Sequence, residues 1–379
     1  MAATDAARPS AILMAALMLP GIVPRAQAET APERGVFSAR YLDYRDGQPG
    51  FDRITVHSPA VYVLAPIATR WAIEGSLLSD SVSGASPRYH TAISGASRMS
   101  DLRHALDVKL TRYEDRHAFS LGAAASSEND FESRAVSGEV RLASEDNNRT
   151  WNIGLGYTRD RIGSADFELL HERRRTVEAI VGLTQVLGRT DLVQVALTAA
   201  HGRGYYSDPY KTPDSRPRRR DQAMVLLRWN HHVEGTGSTL RTSYRYYTDS
   251  FKIRAHTVQA EWVQPVAQRW TVSPSVRLYS QSAASFYFDP VYDPVLGAPF
   301  PVGFTSNPPQ FVSGDQRLAA FGGVTLGLKL ALQLTPDWSA DIKAERYEQR
   351  SSWRWGGGGS PGLDPLRATL VQVGLGKRF

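Results

Sequence analysis

The 379-residue sequence predicts an all-β protein, a transmembrane antiparallel β-barrel of about 16 strands with short periplasmic turns and long extracellular loops. Apolar residues recur at every second position over segments of roughly 10–16 residues, the length expected of tilted spanning strands. The connections between these segments alternate between short and long. Tryptophans lie beside the short connections, and helical periodicity is almost absent.

The first residues have the pattern of a secretory signal peptide. Residues 11–23, AILMAALMLPGIV, form an apolar run that is too short to span a bilayer as a helix. Ala26 and Ala28 then form an A-x-A-like cleavage site before Glu29. We therefore predict a signal peptide over residues 1–28 and one barrel domain over residues 29–379, located in the outer membrane of a Gram-negative bacterium.

Composition excludes several classes of protein. The chain has no cysteine, which excludes a disulfide scaffold, a thiolate metal site and a lipid-anchored cysteine after the signal. The formal net charge of +6 invites a nucleic-acid interpretation, but lysine and arginine are scattered rather than clustered, and the export signal argues against it. We therefore predict no nucleic-acid partner.

The alternation is clearest in WNIGLGYTR, which begins at Trp151 and puts apolar residues on one face and small or polar residues on the other. Elsewhere the polar face carries charges of both signs, which suits a wet barrel interior. The predicted inward-facing charges are Arg103, Asp107, Lys109, Glu139, Arg141, Arg241, Arg245, Asp341, Lys343 and Glu345. Two interpretations stay open: these charges could set up a field that selects small polar solutes, or they could pair off across the lumen.

The connections predict which end of the barrel is which. The short ones are predicted at 65–69, 113–117, 144–149, 187–190, 233–238, 264–269 and 334–338, and the longer ones include 80–100, 160–173, 202–220, 281–316 and 350–366. Sixteen strands with both chain ends on one side need seven turns there and eight loops opposite. The loop 281–316 is rich in proline and aromatic residues, which favours an ordered loop that acts as a constriction, a lid or a docking surface.

Aromatic residues also indicate which end of the barrel carries the short turns. Four tryptophans lie within three residues of a short turn, as a periplasmic aromatic girdle requires: Trp71, Trp151, Trp270 and Trp338. The last segment, LVQVGLGKRF, alternates with Val371, Val373 and Leu375 toward lipid, and Gln372, Gly374 and Gly376 toward the lumen. Its closing Phe379 looks like the terminal aromatic signal that the outer-membrane assembly machinery recognises, so that machinery is a predicted partner.

Signatures of catalysis and metal binding are missing from the sequence. There is no G-x-S-x-G elbow, Walker loop, H-E-x-x-H or calcium-loop spacing. His231 and His232 are adjacent and point to opposite faces of a strand, so a shared metal is not expected. The run RPRRRD (216–221) is either an anchor for lipopolysaccharide phosphates or a solvated loop tip. We predict a protein that is not an enzyme, with outer-membrane lipid and lipopolysaccharide as partners.

The segment DSVSGASPRYHTAISGASRMSDLR (80–103) contains SGAS twice and is too rich in serine, glycine and alanine for an ordinary strand. With the signal and the barrel strands, it resembles a family of Gram-negative outer-membrane barrels catalogued as domain of unknown function 3570. The resemblance would cover essentially the whole mature chain. It implies the barrel fold and no established activity.

The first half of this segment also resembles the attachment motif of periplasmic flavin transferases. The motif runs Asp, small, any, Ser/Thr, Gly/Ser, Ala, Thr/Ser, and residues 80–86 match it at every position. By this resemblance Ser86 would carry covalent FMN and Asp80 would be the acid of the motif. The second copy has Thr91 in place of that acid, which makes Ser97 a weaker candidate.

The sequence thus predicts an uncharacterised outer-membrane barrel that serves as a pore, a transporter or a scaffold. The alternative is a flavinylated barrel in extracytoplasmic electron transfer, with FMN on Ser86 and a periplasmic flavin transferase and redox carriers as partners.

Overall fold

The structure, a computed structural model, describes residues 30–85, 98–164, 169–307 and 309–379. Sixteen antiparallel strands form one closed barrel, which confirms the predicted fold class. The predicted signal peptide lies outside the described residues. The barrel strands are β1 (Val36–Gln48), β2 (Phe51–Ala68), β3 (Trp71–Ala85), β4 (Arg98–Tyr113), β5 (His117–Ser127), β6 (Phe131–Ala143), β7 (Arg149–Ile162), β8 (Glu172–Val186), β9 (Asp191–Gly204), β11 (Arg219–Val233), β12 (Ser238–Asp249), β13 (Arg254–Val266), β14 (Trp270–Gln281), β16 (Phe321–Gln333), β17 (Trp338–Arg350) and β18 (Leu366–Arg378).

The remaining elements lie in two outer loops. The two-residue strands β10 (Asp214–Ser215) and β15 (Val312–Ser313) pair with each other outside the barrel. Two 3-10 turns span Gln316–Leu318 and Ser351–Trp353. The described residues contain no helix that is long and apolar enough to cross a membrane.

The strand connections confirm the predicted count of seven at one end and eight at the other. We call these ends the turn rim, with connections 69–70, 114–116, 144–148, 187–190, 234–237, 267–269 and 334–337, and the loop rim, with 49–50, 86–97, 128–130, 163–171, 205–218, 250–253, 282–320 and 351–365. The sequence predicts that the end with the short turns is the periplasmic one. Three loop-rim connections are as short as the turns, because β1, β5 and β12 each form a tight hairpin with the next strand.

One predicted turn, at 65–69, is wrong in position. Strand β2 continues to Ala68, and the turn falls at residues 69–70. The register shifts between Pro66 and Ala68, which marks a β-bulge. A bulge tolerates a proline that cannot donate to the strand ladder, so the strand passes through the residues that looked like a turn.

The outward face is apolar and bounded by aromatic residues. On β7 the outward residues run from Trp151 through Ile153 and Leu155 to Tyr157, and each is at least 40% exposed. Trp71, Trp270 and Trp338 are the first residues of their strands at the turn rim, and the register turns all three outward. The structure therefore places the tryptophans where a periplasmic girdle requires them.

The barrel closes between β1 and β18. Gly35 and Phe379 exchange two backbone hydrogen bonds, from the Gly35 amide at 2.7 Å and from the Phe379 amide at 3.0 Å. Val371, Val373 and Leu375 face outward, as the sequence predicts. Lys377 shares that face, and its ammonium lies 5.2 Å from the ring centre of Trp338.

The loop 282–320 folds inward over the loop rim. Its Leu318 and Phe286 pack against Phe251, from the 250–253 turn, and against Tyr247, an inward residue of β12. Gln281 at the end of β14 donates hydrogen bonds to the carbonyls of Arg317 and Ala319, at 3.0 and 2.7 Å. The described residues of this loop cover the side of the mouth next to β11–β16.

Candidate functional site in the barrel lumen

The lumen wall carries the ten charges predicted from the sequence, and most of them are neutralised by neighbours. The strand register places all ten on the inward face. Eight take part in ion pairs, which are Arg103–Asp80 (2.7 Å), Lys109–Glu74 (2.8 Å), Arg141–Glu139 (3.6 Å), Arg241–Glu261 (3.2 Å), Lys329–Asp341 (3.7 Å) and Lys343–Glu345 (2.9 Å). Each pair joins residues of one strand or of adjacent strands. The charges therefore pair along the wall rather than across the lumen.

Two of the ten, Arg245 and Asp107, have no ion pair among the described residues. Asp107 accepts a hydrogen bond from the Ser76 hydroxyl. Arg245 donates to Thr257 and belongs to a group of three such arginines, which we call the arginine row. Their hydrogen bonds run from Arg228 Nη1 to Gln194 Oε1 (3.1 Å), from Arg245 Nη2 to Thr257 Oγ1 (3.3 Å) and from Arg277 Nε to Gln259 Oε1 (3.2 Å). Within the described ranges, none of the three donates to a carboxylate.

The strand register explains why these arginines lie together. Arg228 on β11 is opposite Ser243, Ser243 is opposite Gln259, and Gln259 is opposite Arg277 on β14. Strands are about 4.8 Å apart, so three steps separate Arg228 from Arg277 by about 14 Å along the wall. Arg245 lies two residues beyond Ser243, toward the loop rim. One patch of wall thus carries three positive charges.

The arginine row faces open space. The Arg277 side chain is solvent-exposed although it points into the barrel, so water reaches this part of the lumen. The inward residues of β5, which lies eight strands from β14 in the closed barrel, are small, among them Gly122 and Ala124. These small residues leave room for solvent across the lumen from Arg277. The result is a positively charged patch in a wet lumen, beneath the loop 282–320.

Sequence reasoning found Arg245 but missed Arg228 and Arg277. Alternation alone would turn both inward, because Leu227 and Leu278 flank them on the outward face. What the sequence could not show is the partner of each arginine. That depends on which residue of the next strand lies opposite.

The flavin candidates are only partly described. Asp80 lies in β3, points inward and pairs with Arg103 on β4 at 2.7 Å. Ser86 and Ser97 lie outside the described residues, so their assignment stays a prediction. Residues up to Ala85 are paired in β3, and Asp80 is already held by a guanidinium.

The RPRRRD run is engaged within the protein. Its arginines pair with carboxylates, as Arg216–Asp214 (2.8 Å), Arg218–Glu172, Arg219–Asp221 (2.9 Å) and Arg220–Asp249 (2.7 Å). Arg220 is buried, and its guanidinium lies 4.6 Å from the ring centre of Phe251. Each arginine of the run therefore has a carboxylate partner within the protein, and these pairs tie the run to the loop rim.

Arg216 belongs to a buried cluster that joins the loops 205–218 and 282–320, and we call this cluster the loop latch. Its members are Asp208, Lys211, Asp214, Arg216, Asp315 and Arg317. Burial opposes ionisation of Asp315, yet the nearby Arg317, Lys211 and Arg216 hold the pKa of its carboxyl well below the usual range. With three carboxylates and three cations, the latch is balanced and holds the two loops together.

The two adjacent histidines point to opposite faces, as the sequence predicts. His231 lies 2.9 Å from Asp191 Oδ1, and His232 lies 3.3 Å from the Thr239 hydroxyl. Within the described part of the chain, no group of three or more histidine, aspartate or glutamate side chains could hold a metal ion.

The family comparison covers most of the barrel. A family model described as a protein of unknown function (DUF3570) matches residues 89–168 and 164–364. These ranges begin within the 86–97 connection and end within the 351–365 loop. No curated protein matches the sequence.

Solved structures with a similar fold are outer-membrane proteins of bacteria. They include a bacterial polysaccharide outer membrane secretin (TM-score 0.50, 11% identity, covering 90% of this chain and 98% of that one), CdiB from Acinetobacter baumannii (0.50, 9%, 89% and 60%) and the siderophore receptor PirA from Pseudomonas aeruginosa (0.46, 11%, 85% and 57%). The chain thus spans less than two thirds of the length of CdiB and of PirA. At these identities the likeness concerns the fold, which resembles that of Gram-negative outer-membrane proteins.

Proposed function

The chain belongs to DUF3570, a family of proteins of unknown function, and from that premise we propose that it is a pore that admits small anionic solutes across the outer membrane. The family resemblance predicted from the sequence is confirmed. The observation that carries the proposal is the arginine row, in which Arg228, Arg245 and Arg277 bond only to neutral acceptors among the residues that the structure describes. Rings and rows of arginine are a recurrent means of selecting anions in pores.

The neutral partners matter for transport. An arginine that bonds a carboxylate is already neutralised, whereas one held by an amide or a hydroxyl keeps its full charge and a fixed direction. The amides of Gln194 and Gln259 do this for Arg228 and Arg277. A passing anion can exchange water for these guanidinium groups without displacing a bound carboxylate. Binding of this kind is weak enough to allow release, which conduction requires.

The pairing of the other charges on the lumen wall favours passage of a solute over its retention. Cations such as Lys109 and Arg241 are paired with Glu74 and Glu261, so they add little net field. The loop 282–320 narrows the mouth above the arginine row, which restricts passage to small solutes. A scaffold without transport would not need accessible, uncompensated charge inside the barrel.

Swelling of liposomes that contain the purified barrel tests this function. Gluconate, glucose and glucosamine have similar sizes and carry negative, neutral and positive charge. We expect the gluconate salt to enter faster than glucosamine, with glucose between them. Equal rates would contradict anion preference, and no swelling with any of the three would contradict an open lumen.

The setting of this pore is part of the proposal. We place it in the outer membrane of a Gram-negative bacterium, inserted by the assembly machinery through the strand that ends at Phe379. The apolar outward face and the girdle of tryptophans at the turn rim support this placement.

A flavinylated barrel is the second candidate. The observation that favours it is the seven-position match of residues 80–86 to the flavin attachment motif. In that case Ser86, or more weakly Ser97, would hold FMN, and the barrel would position the cofactor for electron transfer with periplasmic carriers.

A further inference from the structure

The outward surface at the loop rim carries a row of arginines on five neighbouring strands. Each one lies opposite the next in the strand register, so they form a continuous line across β6, β7, β8, β9 and β11. We call this line the arginine belt, and its members are Arg134, Arg159, Arg175, Arg203 and Arg219. At about 4.8 Å per strand, four steps extend the belt over about 19 Å.

The belt is accessible and only partly neutralised. All five arginines are exposed. Arg134 pairs with Glu132 and Arg219 with Asp221, while Arg203 donates to a ring nitrogen of His201. Arg159 and Arg175, at the centre, contact no carboxylate among the described residues. A second opposed pair, Arg161 and Arg173, lies one step nearer the loop.

Such a line of like charge is unfavourable by itself. Like charges directly opposite each other on neighbouring strands destabilise a sheet. Arginine also presents a planar set of donors that matches phosphate oxygens in pairs. An anionic partner with several phosphates would relieve the repulsion along the line.

The position of the arginine belt along the barrel axis, relative to the apolar surface, identifies the kind of partner. The outward residues one step toward the turn rim are Val136, Tyr157 and Val177, with exposures of 57%, 40% and 51%. This apolar surface marks the edge of the hydrocarbon layer, with Tyr157 in the position of an interfacial aromatic residue. The belt therefore lies where lipid headgroups of the outer leaflet begin.

We propose that the arginine belt binds the phosphate groups of a phosphorylated glycolipid in the outer leaflet. The acyl chains lie on Val136, Tyr157 and Val177, and the phosphates bridge the central arginines. A free phosphate ion would contact one or two arginines at most and would gain nothing from the apolar surface. This proposal is independent of what passes through the lumen.

Native mass spectrometry of the detergent-purified barrel tests the proposal. The probes are a diphosphorylated hexa-acyl glucosamine disaccharide lipid, the same lipid without phosphates, and inorganic phosphate. We expect the fraction of barrel that retains the diphosphorylated lipid to be at least tenfold higher than the fraction that retains the dephosphorylated one. The double variant R159Q/R175Q should retain the diphosphorylated lipid about tenfold less than the native chain. Millimolar inorganic phosphate should not displace the lipid from the native chain.

The matched control removes two cations at the opposite end of the barrel, R149Q/R189Q, and should bind the lipid as the native chain does. Heat-dependent gel migration confirms that each variant forms a barrel. Equal binding by R159Q/R175Q and the native chain would overturn the proposal. Equal retention of both lipids, or displacement by inorganic phosphate, would overturn it as well.

Discussion

Arg228 on β11 donates a hydrogen bond from Nη1 to Oε1 of Gln194 on β9, at 3.1 Å, so a cation of the lumen is held by a neutral amide. Lys109, by contrast, has a carboxylate neighbour, Glu74 at 2.8 Å. The difference between an amide and a carboxylate at one position decides whether the charge is available to a solute. The proposed selectivity depends on that difference.

Adding carboxylates beside the arginine row should cancel its effect. In Q194E/Q259E each new carboxylate lies within bonding distance of Arg228 or Arg277, with almost no change in side-chain size. Each added charge alters the local energy of an anion by about 1 kcal/mol in a wet lumen, or about fivefold in relative permeability. Reversal potentials in a salt gradient measure this ratio.

The control for that change is Q185E. Gln185 accepts a hydrogen bond from Arg149 at 2.8 Å in the same chemical arrangement, but on the outward face at the turn rim. It should leave the permeability ratio unchanged. A ratio that moves equally in both variants would show that the arginine row has no special role.

The loop latch should depend on Asp315. D315N would remove the carboxylate shared by Lys211, Arg216 and Arg317 and leave these three cations with only two carboxylates of the latch, those of Asp208 and Asp214. Removal of one partner from a buried ion pair costs about 3–5 kcal/mol. We therefore expect faster hydrogen exchange throughout the 205–218 and 282–320 loops, with the barrel strands still protected.

An aspartate of the same loop provides the comparison. Among the described residues Asp293 bonds to backbone amides, with Oδ1 accepting from Val295 and Leu296 and Oδ2 accepting from Gly303 at 3.3 Å. Asparagine keeps the oxygen that serves the first two and loses only the bond from Gly303, within the same loop. D293N should therefore leave exchange outside its own turn unchanged. Equal loosening by D293N and D315N would contradict a specific role for the latch.

Phe379 should affect assembly more than stability. Its backbone makes the two bonds to Gly35, so F379A keeps the closure of β1 on β18 and loses only the ring. We expect normal refolding in detergent and several-fold less barrel inserted in cells. V371A, which shortens another outward residue of the same strand, should insert normally; a matching defect there would argue against a terminal aromatic signal.

The flavin prediction has a direct measurement. If the motif is used, intact mass spectrometry of protein made together with a periplasmic flavin transferase should show an added FMN, with loss of one water, on the 80–97 segment. S86A should abolish the adduct and S97A should leave it in place. An unmodified chain in the presence of active transferase would exclude this role.

Sequence reasoning predicted the barrel well because the evidence is local. Trp151 to Tyr157 shows its two faces within seven residues, and the tight turns carry their own residue preferences. Pro66 misled the prediction because a bulge, which depends on the neighbouring strand, absorbs it.

The functional features were harder to predict because they depend on pairing between distant residues. Arg317 lies 2.8 Å from Asp208, which is 109 residues away in sequence. The arginine belt has the same origin: Arg134 and Arg159 become neighbours only through the register of β6 and β7. No local pattern distinguishes these arginines from the other cations of the chain.

The reversal potential of the purified barrel in a planar bilayer, under a tenfold gradient of potassium chloride, tests the central claim most directly. We predict a potential of the sign that indicates chloride preference for the native chain, and a shift toward zero for R228Q/R277Q. A control pair of outward arginines, R346Q/R367Q, should keep the native value. A native potential that indicates cation preference, or one that is the same in R228Q/R277Q, would contradict the proposal that the arginine row selects anions.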